Sequence, residues 1–329
     1  MAILVCGGAG YIGSHAVAEL IRRGEEVVVV DNLQKGHIDA IWEGAKICLG
    51  DLRDREFLQR VFRENKIEGV IHFAADSLVG ESMEIPLKYY ENNVYGTMCL
   101  LEAMRENSVD KIVFSSTAAT YGEPESVPIR ETDRTEPTNA YGETKLAVEK
   151  MLKWADTAYG IKHVVLRYFN VAGAHESGMI GEAHDPETHL IPIILQVALN
   201  KREKIFIYGD DYDTEDGTCI RDYIHVMDLV DAHILALKKL NRENASATYN
   251  LGNGEGFSVK EVIETARRVT NHEIKAELAP RRAGDPARLI ASSEKAMAEL
   301  GWQPKFNTLD EIIASAWKWH VNNPHGYED

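Results

Sequence analysis

The chain has 329 residues, of which 44% are hydrophobic, so it can bury one large core or two modest ones. Its 52 acidic residues outnumber its 36 lysines and arginines, and the formal net charge of -16 argues against general binding to nucleic acids or anionic membranes. The four cysteines are far apart, and no apolar stretch is long enough to span a bilayer. We therefore expect a soluble cytoplasmic protein that binds any anionic ligand through local features.

A glycine-rich turn follows the first predicted strand. Ala2–Cys6 is a short apolar run, and four glycines between residues 7 and 13 separate it from an amphipathic run closed by Gly24. Glycines at this place let a pyrophosphate approach a helix N-terminus. The next predicted strand leads into Asp31, at the spacing where a carboxylate binds the hydroxyls of an adenosine ribose. Because this acid disfavours a 2′-phosphate, the sequence predicts NAD rather than NADP.

Strands and helices then alternate as far as residue 169. Strands are predicted over residues 45–49, 69–73, 111–114 and 162–169, with a helix over 53–65. This alternation predicts an α/β fold with a Rossmann-type, doubly wound parallel sheet. Ligands bind such sheets at the carboxyl ends of the strands. This rule places the following residues beside the cofactor: Asp51, Leu52, Phe73, Ala74 and Ala75.

A long helix is predicted from Pro86 to Asn107. It contains Asn92 and Asn93, which are poor helix formers and therefore need a reason to be there. Two interpretations stay open: the amides are surface residues, or one of them makes a polar contact near the nicotinamide.

Tyr141 and Lys145 stand four residues apart at the start of another predicted helix. Residues at this spacing share a helix face, so the phenol and the ammonium can point at one spot. A nearby cation lowers the pKa of a tyrosine and would let it act as a base. The hydroxyl-rich stretch 115–121 follows the preceding strand, although its hydroxyls could equally bond their own backbone. This spacing is weak evidence by itself, because both residue types are common on solvated helices.

Beyond Asn170 the alternation loosens. Residues 171–190 are rich in glycine, histidine and acids, which predicts a loop over a pocket. The possible metal ligands in this loop are His175, Glu176, His184, Asp185 and His189. Their spacing fits no tight ligand pattern, so we predict no metal site.

The remaining chain predicts a smaller, mixed α/β substrate domain. The predicted strands are 204–208, 248–251 and 273–278, and the predicted helices are 191–199, one from Asp222 onward, 258–270, 292–300 and 309–322. The loop 280–286 carries two arginines that suit phosphate recognition in an acidic protein. We therefore predict an NAD-binding domain over 1–175 and a nucleotide-sugar-binding domain over 176–329, with residues 221–240 packing back on the first.

Taken together, these motifs resemble the extended short-chain dehydrogenase/reductase family. The general features are the glycine turn, Asp31, the hydroxyl cluster before Tyr141 and Lys145, and the run 167–170. Within that family the resemblance is closest to the UDP-hexose 4-epimerases and covers nearly the whole chain. The stretches that carry it are Gly80-Glu81-Ser82, Asn92-Asn93-Val94-x-Gly96-Thr97, 210–218 and 221–229.

The resemblance implies interconversion of UDP-galactose and UDP-glucose through a 4-keto sugar, with transient hydride transfer to tightly bound NAD. Tyr141 would take the proton of the 4-hydroxyl, Lys145 would lower the pKa of Tyr141, and Thr117 would bond the reacting oxygen. The implied cofactor contacts are Gly7, Gly10, Tyr11, Ile12, Gly13, Asp31, Asn32, Asp51, Leu52, Phe73, Ala74, Ala75, Asn92, Tyr141, Lys145 and Phe169. The implied substrate contacts are Thr117, Tyr141, Asn170, His189, Leu190, Phe206, Ile207, Tyr208, Arg221, Arg282, Asp285 and Leu289.

Two positions depart from many relatives in this family. His189 stands where they often have asparagine, and Leu289 stands where many have tyrosine. Leucine is smaller and lacks the hydroxyl, which suggests a roomier pocket around the C2 substituent of the sugar. We therefore hypothesise that UDP-N-acetylglucosamine and UDP-N-acetylgalactosamine are also accepted.

Three other functions were weighed. A 4-epimerase of a UDP-uronate or UDP-pentose stays open, because only the pocket lining would differ. A nucleotide-sugar 4,6-dehydratase needs acids beside the catalytic hydroxyl, and Thr117-Ala118-Ala119 has none. A regulatory protein that binds NAD without chemistry is disfavoured by the intact set of Thr117, Tyr141 and Lys145.

The resemblance also implies a homodimer, formed by pairing helices 86–107 and 141–159 of each copy. Apolar residues on more than one side of the first helix fit this expectation, namely Tyr90, Val94, Met98, Leu101 and Met104. Packing beneath the protein's own sheet could equally bury all of them.

Overall fold

The structure is a computed structural model that describes residues 1–282 and 285–328, so Ala283 and Gly284 of the predicted arginine loop lie outside the described residues. The strands are β1 (Ala2–Cys6), β2 (Glu26–Asp31), β3 (Lys46–Leu49), β4 (Ile67–His72), β5 (Lys111–Thr117), β6 (Lys162–Tyr168), β7 (Asn170–Ala172), β8 (Ile205–Tyr208), β9 (Ile220–Arg221), β10 (Tyr223–His225), β11 (Ala247–Leu251), β12 (Phe257–Ser258), β13 (Ala276–Ala279) and β14 (Arg288–Leu289). The helices are α1 (Tyr11–Arg22), α2 (Arg55–Glu64), α3 (Val79–Glu84), α4 (Pro86–Tyr89), α5 (Gly96–Glu106), α6 (Ala140–Tyr159), α7 (Leu190–Ala198), α8 (Val226–Glu243), α9 (Val259–Thr270), α10 (Glu294–Leu300) and α11 (Leu309–Asn322).

Seven parallel strands form the central sheet in the order β11-β6-β5-β4-β1-β2-β3. Strand β1 shows why the sheet is covered on both faces: all five of its residues are buried. Ile3 and Val5 pack with α1 and α8 on one face, while Leu4 and Cys6 pack with α2, α5 and α6 on the other. Because successive side chains point to opposite faces, a continuous apolar run is what a doubly covered parallel strand requires. The prediction of a Rossmann-type sheet is confirmed.

Elements from beyond residue 175 belong to this sheet or pack on it. Strand β11 forms its outer edge beside β6, and α8 packs on α1, β5 and β6. A third core lies among α7, α9 and α11, beside the parallel pair β8 and β13. The division into domains at residue 175 stays a prediction.

The helix predicted from Asp222 onward is wrong in its first turn. The chain forms β9 and β10 there, and α8 begins only at Val226, where His225 Nδ1 accepts a hydrogen bond from Met227 N at 3.1 Å. The Asp222 carboxylate accepts hydrogen bonds from the backbone of Asn253, Gly254 and Ala291 instead. The strand predicted at 273–278 lies slightly later, at β13.

The long helix predicted over 86–107 forms as α4, a π-helical segment (Tyr90–Tyr95) and α5 in continuous succession. Asn92 and Asn93, the two poor helix formers in this stretch, both lie in the π-helical segment. Among the residues that the structure describes, no helix has both the length and the apolar character needed to cross a membrane.

Candidate active site

The turn between β1 and α1 leaves no room for a side chain at Gly7 or Gly13. Gly7 has a φ of +79°, and a Cβ there would lie 2.6 Å from Ala74 N. A Cβ on Gly13 would lie 2.0 Å from Gly7 O, inside any permitted contact. Gly10 precedes α1 and gives this helix end no side-chain cap. Bare backbone and uncapped N–H groups at a helix start form a cradle that fits a dinucleotide pyrophosphate.

Asp31 lies at the end of β2, directly beside this turn. Its Oδ2 accepts a hydrogen bond from Ala9 N at 2.9 Å, and its Oδ1 accepts one from Leu33 N at 2.8 Å. Each carboxylate oxygen has a second acceptor position, which ribose hydroxyls can use. The two backbone donors therefore hold the acid in the orientation that an adenosine ribose site requires.

Asn32 and Asp51 meet at the ends of β2 and β3. Asn32 Nδ2 donates to Asp51 Oδ2 at 3.0 Å. The Arg53 guanidinium donates to both oxygens of Asp51, at 2.8 and 2.7 Å, and holds the pKa of that carboxyl well below its usual range. The sequence analysis did not single out Arg53, although a basic residue two positions after an acid at a strand end is a recognisable signal.

Thr117, Tyr141 and Lys145 come together where β5 ends and α6 begins. Asn139 caps α6 by accepting a hydrogen bond from Gly142 N at 2.8 Å. Lys145 Nζ lies 5.9 Å from the centre of the Tyr141 ring, and the Thr117 side chain lies close enough to the Tyr141 phenol to lower its pKa. Tyr141 and Lys145 are both buried. The three residues that sequence reasoning grouped are therefore one cluster in space.

The pKa values of this cluster differ from the expectation. Burial raises the pKa of Tyr141 to about 12, and the nearby Thr117 side chain offsets only part of this rise. Burial also lowers the pKa of Lys145 to about 7, while Glu149 acts in the opposite direction. Lys145 Nζ donates to Ser115 O at 2.8 Å. In the chain by itself, loss of solvation therefore outweighs any lowering of the tyrosine pKa by the lysine.

A buried ion pair lies directly behind the cluster. Arg167 Nε and Nη2 donate to the two oxygens of Glu149 at 3.0 and 2.5 Å. Ser116 Oγ donates to the same carboxylate at 2.5 Å, and Arg167 Nη1 donates to Tyr121 Oη at 2.9 Å. Sequence reasoning missed the role of Glu149, which follows Lys145 by one turn on α6. The pair ties α6 to the ends of β5 and β6.

Neither interpretation of the tandem asparagines describes Asn93, and a cofactor contact by Asn92 stays a prediction. Asn93 is buried, its Oδ1 accepts from Asp76 N at 2.8 Å, and its Nδ2 donates to Asp76 O and Thr144 Oγ1, both at 3.0 Å. It therefore ties the loop after β4 to the start of α6. Asn92 is half-buried, and its Nδ2 lies 3.4 Å from Asn93 Oδ1.

Several predicted substrate residues gather around Asp285. Arg221 Nη2 donates to Asp285 Oδ1 at 2.8 Å, and Arg282 Nε lies 3.3 Å from Asp285 Oδ2. The Arg282 guanidinium stands 4.7 Å above the ring of Tyr208. Leu289 of β14 is half-buried and pairs with Arg221 of β9. Two guanidiniums with an aromatic ring and one balancing acid suit a nucleoside diphosphate.

Four other predicted positions are arranged differently. On β8, Phe206 and Tyr208 are 38% and 39% exposed, but the Ile207 side chain is buried in the third core, so only its backbone can face a ligand. Asn170 N donates to Asp222 O at 3.0 Å. His189 precedes α7, and its Nδ1 faces Glu182 and Glu187 at 2.8 and 3.0 Å. Two further predicted positions, Phe169 and Leu190, are half-buried.

Comparison with known proteins gives consistent matches over the whole chain. Residues 4–315 match a family model described as GDP-mannose 4,6 dehydratase. The UDP-glucose 4-epimerase of Halalkalibacterium halodurans is 62% identical over 327 residues, which are 99% of this chain and 98% of that protein. A crystal structure of a UDP-glucose 4-epimerase is 64% identical with a TM-score of 0.99, and each chain is covered completely. The Bifidobacterium longum UDP-glucose 4-epimerase, solved with NAD+ and UDP, is 41% identical with a TM-score of 0.93 and coverage of 99% and 100%.

Proposed function

The chain belongs to the UDP-glucose 4-epimerases of the extended short-chain dehydrogenase/reductase family, and we propose that it interconverts UDP-galactose and UDP-glucose by inverting C4 of the sugar. The observation that carries this proposal is the cluster of Thr117, Tyr141 and Lys145 beside the glycine turn. NAD fits that turn, because Gly7 and Gly13 sit where side chains would collide with backbone. When bound, NAD supplies a reversible hydride acceptor, so the sugar is oxidised and reduced with no net redox change.

Tyr141 is the proposed acid and base for the oxygen at C4. With a pKa of about 12 in the chain by itself, its phenolate needs positive charge nearby to form at neutral pH. Lys145 Nζ lies 5.9 Å from the ring and supplies such charge only in its ammonium form, which the lowered lysine pKa of about 7 leaves partly populated at neutral pH. The Thr117 hydroxyl lies near the phenol, so a sugar oxygen between the two hydroxyls would be held by both. Burial of the cluster excludes water, which strengthens each of these interactions.

The test separates chemistry from cofactor binding. Purified protein without added NAD is incubated with UDP-galactose, and the sugar products are followed by NMR. Tyr141→Phe should abolish turnover and still retain NAD, because only the proton-transfer group is removed. Tyr159→Phe is the matched control, since Tyr159 lies on the same helix and is 57% exposed. Undiminished turnover by Tyr141→Phe would refute the assigned role.

We propose that the diphosphate of the substrate lies near Arg221 and Arg282. Both guanidiniums contact Asp285, which keeps them apart from other acids of this strongly acidic chain. The diphosphate of a nucleotide sugar offers four non-bridging oxygens that share two negative charges, and it would compete for the same donors. The other implied contacts with cofactor and sugar stay predictions.

The proposal also concerns which UDP-sugars the protein accepts. Leu289 supports acceptance of N-acetylated UDP-hexoses, because a leucine leaves more space near the sugar than a tyrosine would. Leu289→Tyr should reduce turnover of UDP-N-acetylgalactosamine more than that of UDP-galactose. Equal turnover of the acetylated sugar by both proteins would contradict the idea, and turnover of neither sugar would direct attention to UDP-uronates and UDP-pentoses.

A 4,6-dehydratase is the second candidate, because the matching family model carries that description. Elimination of water needs an acid beside the catalytic hydroxyl, and the residues after Thr117 are two alanines. Thr117 Oγ1 accepts a hydrogen bond from the backbone N–H of Ala119 at 3.1 Å, so its neighbour in this turn is a backbone group and not an acidic side chain. Detection of a 4-keto-6-deoxy sugar in the NMR experiment would favour the dehydratase.

We also propose a homodimer built from α4, α5 and α6. Leu101 and Met104 belong to the protein's own core and are not available, but Tyr90, Leu87 and Trp154 are 42%, 80% and 70% exposed. Large apolar side chains on neighbouring helices are typical of a contact surface. A monomer mass in sedimentation would remove this proposal.

The four free cysteines support a reducing compartment such as the cytoplasm.

A further inference from the structure

Four side chains from one loop converge at a point outside the cluster of Thr117, Tyr141 and Lys145, although one of them, His189, is also an implied substrate contact. The loop joins β7 to α7, and Glu182, His184, Glu187 and His189 each place one ligand-type atom within 4.8 Å of the others. His189 Nδ1 lies 2.8 Å from Glu182 Oε1 and 3.0 Å from Glu187 Oε1. His184 Nδ1 lies 3.0 Å from Glu182 Oε1 and 3.7 Å from Glu187 Oε2. The Nδ1 atom of each histidine thus faces both carboxylates.

This spacing matches a tetrahedral metal site. Zinc bonds of about 2.0–2.2 Å to nitrogen and oxygen place neighbouring ligand atoms about 3.3–3.6 Å apart. The four distances from a histidine Nδ1 to a glutamate oxygen run from 2.8 to 3.7 Å, so they lie both below and above that range. Small side-chain adjustments would therefore centre an ion among them. We propose that Glu182, His184, Glu187 and His189 form a structural Zn²⁺ site with four protein ligands.

The charge of the cluster supports a divalent ion. The carboxylates of Glu182 and Glu187 are only 5% and 4% exposed, and two buried negative charges need two positive charges beside them. Their ion-pair partners are His184 and His189. Either two imidazolium protons or one divalent ion can neutralise the cluster. The two states exclude each other at the Nδ1 atoms, because a ligating nitrogen carries no proton.

Backbone donors already orient one of the carboxylates. Glu187 Oε1 accepts hydrogen bonds from the N–H groups of Thr188 and His189, both at 2.7 Å. Such outer contacts fix ligand orientation around bound metals and help to determine affinity. Glu182 is held from its own backbone, since its carbonyl oxygen accepts the Trp319 indole N–H at 3.0 Å. The Glu187 carboxylate and the backbone of Glu182 are thus positioned before any ion binds.

The site would fasten the loop to the dinucleotide-binding region. The His184 ring lies edge-to-face against Tyr11, the first residue of α1, with 6.2 Å between ring centres. On either side of His184, Ala183 O contacts His37 Nε2 at 2.9 Å, and Asp185 O accepts from Lys35 Nζ at 2.7 Å. Lys35 and His37 belong to the segment that follows Asp31. An ion in the cluster would therefore stiffen the contact between this loop and both sides of the glycine turn.

The experiment measures metal content rather than turnover, so it is independent of the proposed epimerase activity. Full-length protein is stripped with a chelator, dialysed against Zn²⁺ and analysed by mass spectrometry for bound zinc. We expect one equivalent in the unmodified protein and in His325→Gln, whose exposed histidine lies outside the cluster. Glu182→Gln and His184→Gln should each weaken zinc binding about 100-fold or more, since even outer-shell changes cost 10–100-fold.

Replacing zinc by Co²⁺ tests the geometry in the unmodified protein and does not depend on the folding of any variant. Four-coordinate Co²⁺ with nitrogen and oxygen ligands should give an intense visible absorption band. A weak six-coordinate spectrum, no bound equivalent of either metal, or equal zinc binding by His184→Gln would each overturn the proposal. In those cases the cluster is a pair of protonated histidines beside two glutamates.

Discussion

Removing one partner of the Arg167–Glu149 pair should destabilise the protein far more than removing both. Each side chain is 8% exposed, and two parallel hydrogen bonds join them. Arg167→Met leaves a buried carboxylate without a cation, which typically costs about 3–5 kcal/mol of unfolding free energy. Glu149→Gln leaves the guanidinium unpaired and should have a similar cost.

The double variant Arg167→Met/Glu149→Gln removes both charges. Because replacing a whole buried pair is often nearly neutral, the double variant should cost less than either single variant, so the two single costs should be far from additive. The amide of the new glutamine still offers an oxygen to Ser116, whose hydroxyl donates to Glu149 at 2.5 Å. Loss of that hydrogen bond therefore does not enter the comparison.

Urea unfolding followed by tryptophan fluorescence, at one fixed saturating NAD concentration, gives the four free energies. The exposed pair Arg268–Asp310 is the control, with side chains 61% and 53% exposed, and Arg268→Gln should cost less than about 1 kcal/mol. The reasoning is refuted if the double variant costs as much as the two single changes together. A cost below about 1 kcal/mol for Arg167→Met would refute it as well.

Three further changes test other parts of the structure. Gly13→Ala places a methyl group 2.0 Å from Gly7 O and should abolish NAD retention, measured by absorbance after gel filtration; Gly80→Ala, where the added Cβ meets nothing within 4 Å, should retain it. Burial lowers the pKa of His233 from 6.5 to about 4, so the unfolded chain binds a proton in that range that the native chain does not. The free energy of unfolding should therefore fall as pH drops from 6.5 to 4, by up to about 1.4 kcal/mol per pH unit. Urea titrations at several pH values should show that the unfolding free energy of His233→Leu depends less steeply on pH. Trp154→Glu puts a charge on the proposed dimer surface and should shift sedimentation toward the monomer mass, whereas an unchanged mass would argue against that surface.

The regular half of the fold could be predicted because its signals are local. Apolar runs ended by glycine or an acid identified β1 and β2, and helical periodicity identified α6 and the long helix from Pro86. Tyr141 and Lys145 share a helix face by spacing alone, so their proximity needed no tertiary information. The π-helical segment was not predicted, since no local pattern marks its register.

Environment, in contrast, was decided by the tertiary structure. Ile207 alternates with two exposed aromatic residues on β8, and only the packing of α7 and α9 determines which face of that strand is buried. Asn93 became a structural residue because Asp76 and Thr144 approach it from distant parts of the chain. The pKa of Tyr141 rises because the fold removes water from it, and no spacing rule contains that cost.

The histidine-rich loop shows the same division most clearly. Its composition suggested metal ligands, but the candidates did not include Glu182 or Glu187, and the sequence analysis predicted no metal site. Folding selects Glu182, His184, Glu187 and His189, because the turn before α7 brings exactly one atom of each to a common point. Sequence determines which ligand types are available along a chain. Only the path of the backbone determines which of them meet, because irregular loops have no period from which side-chain directions can be read.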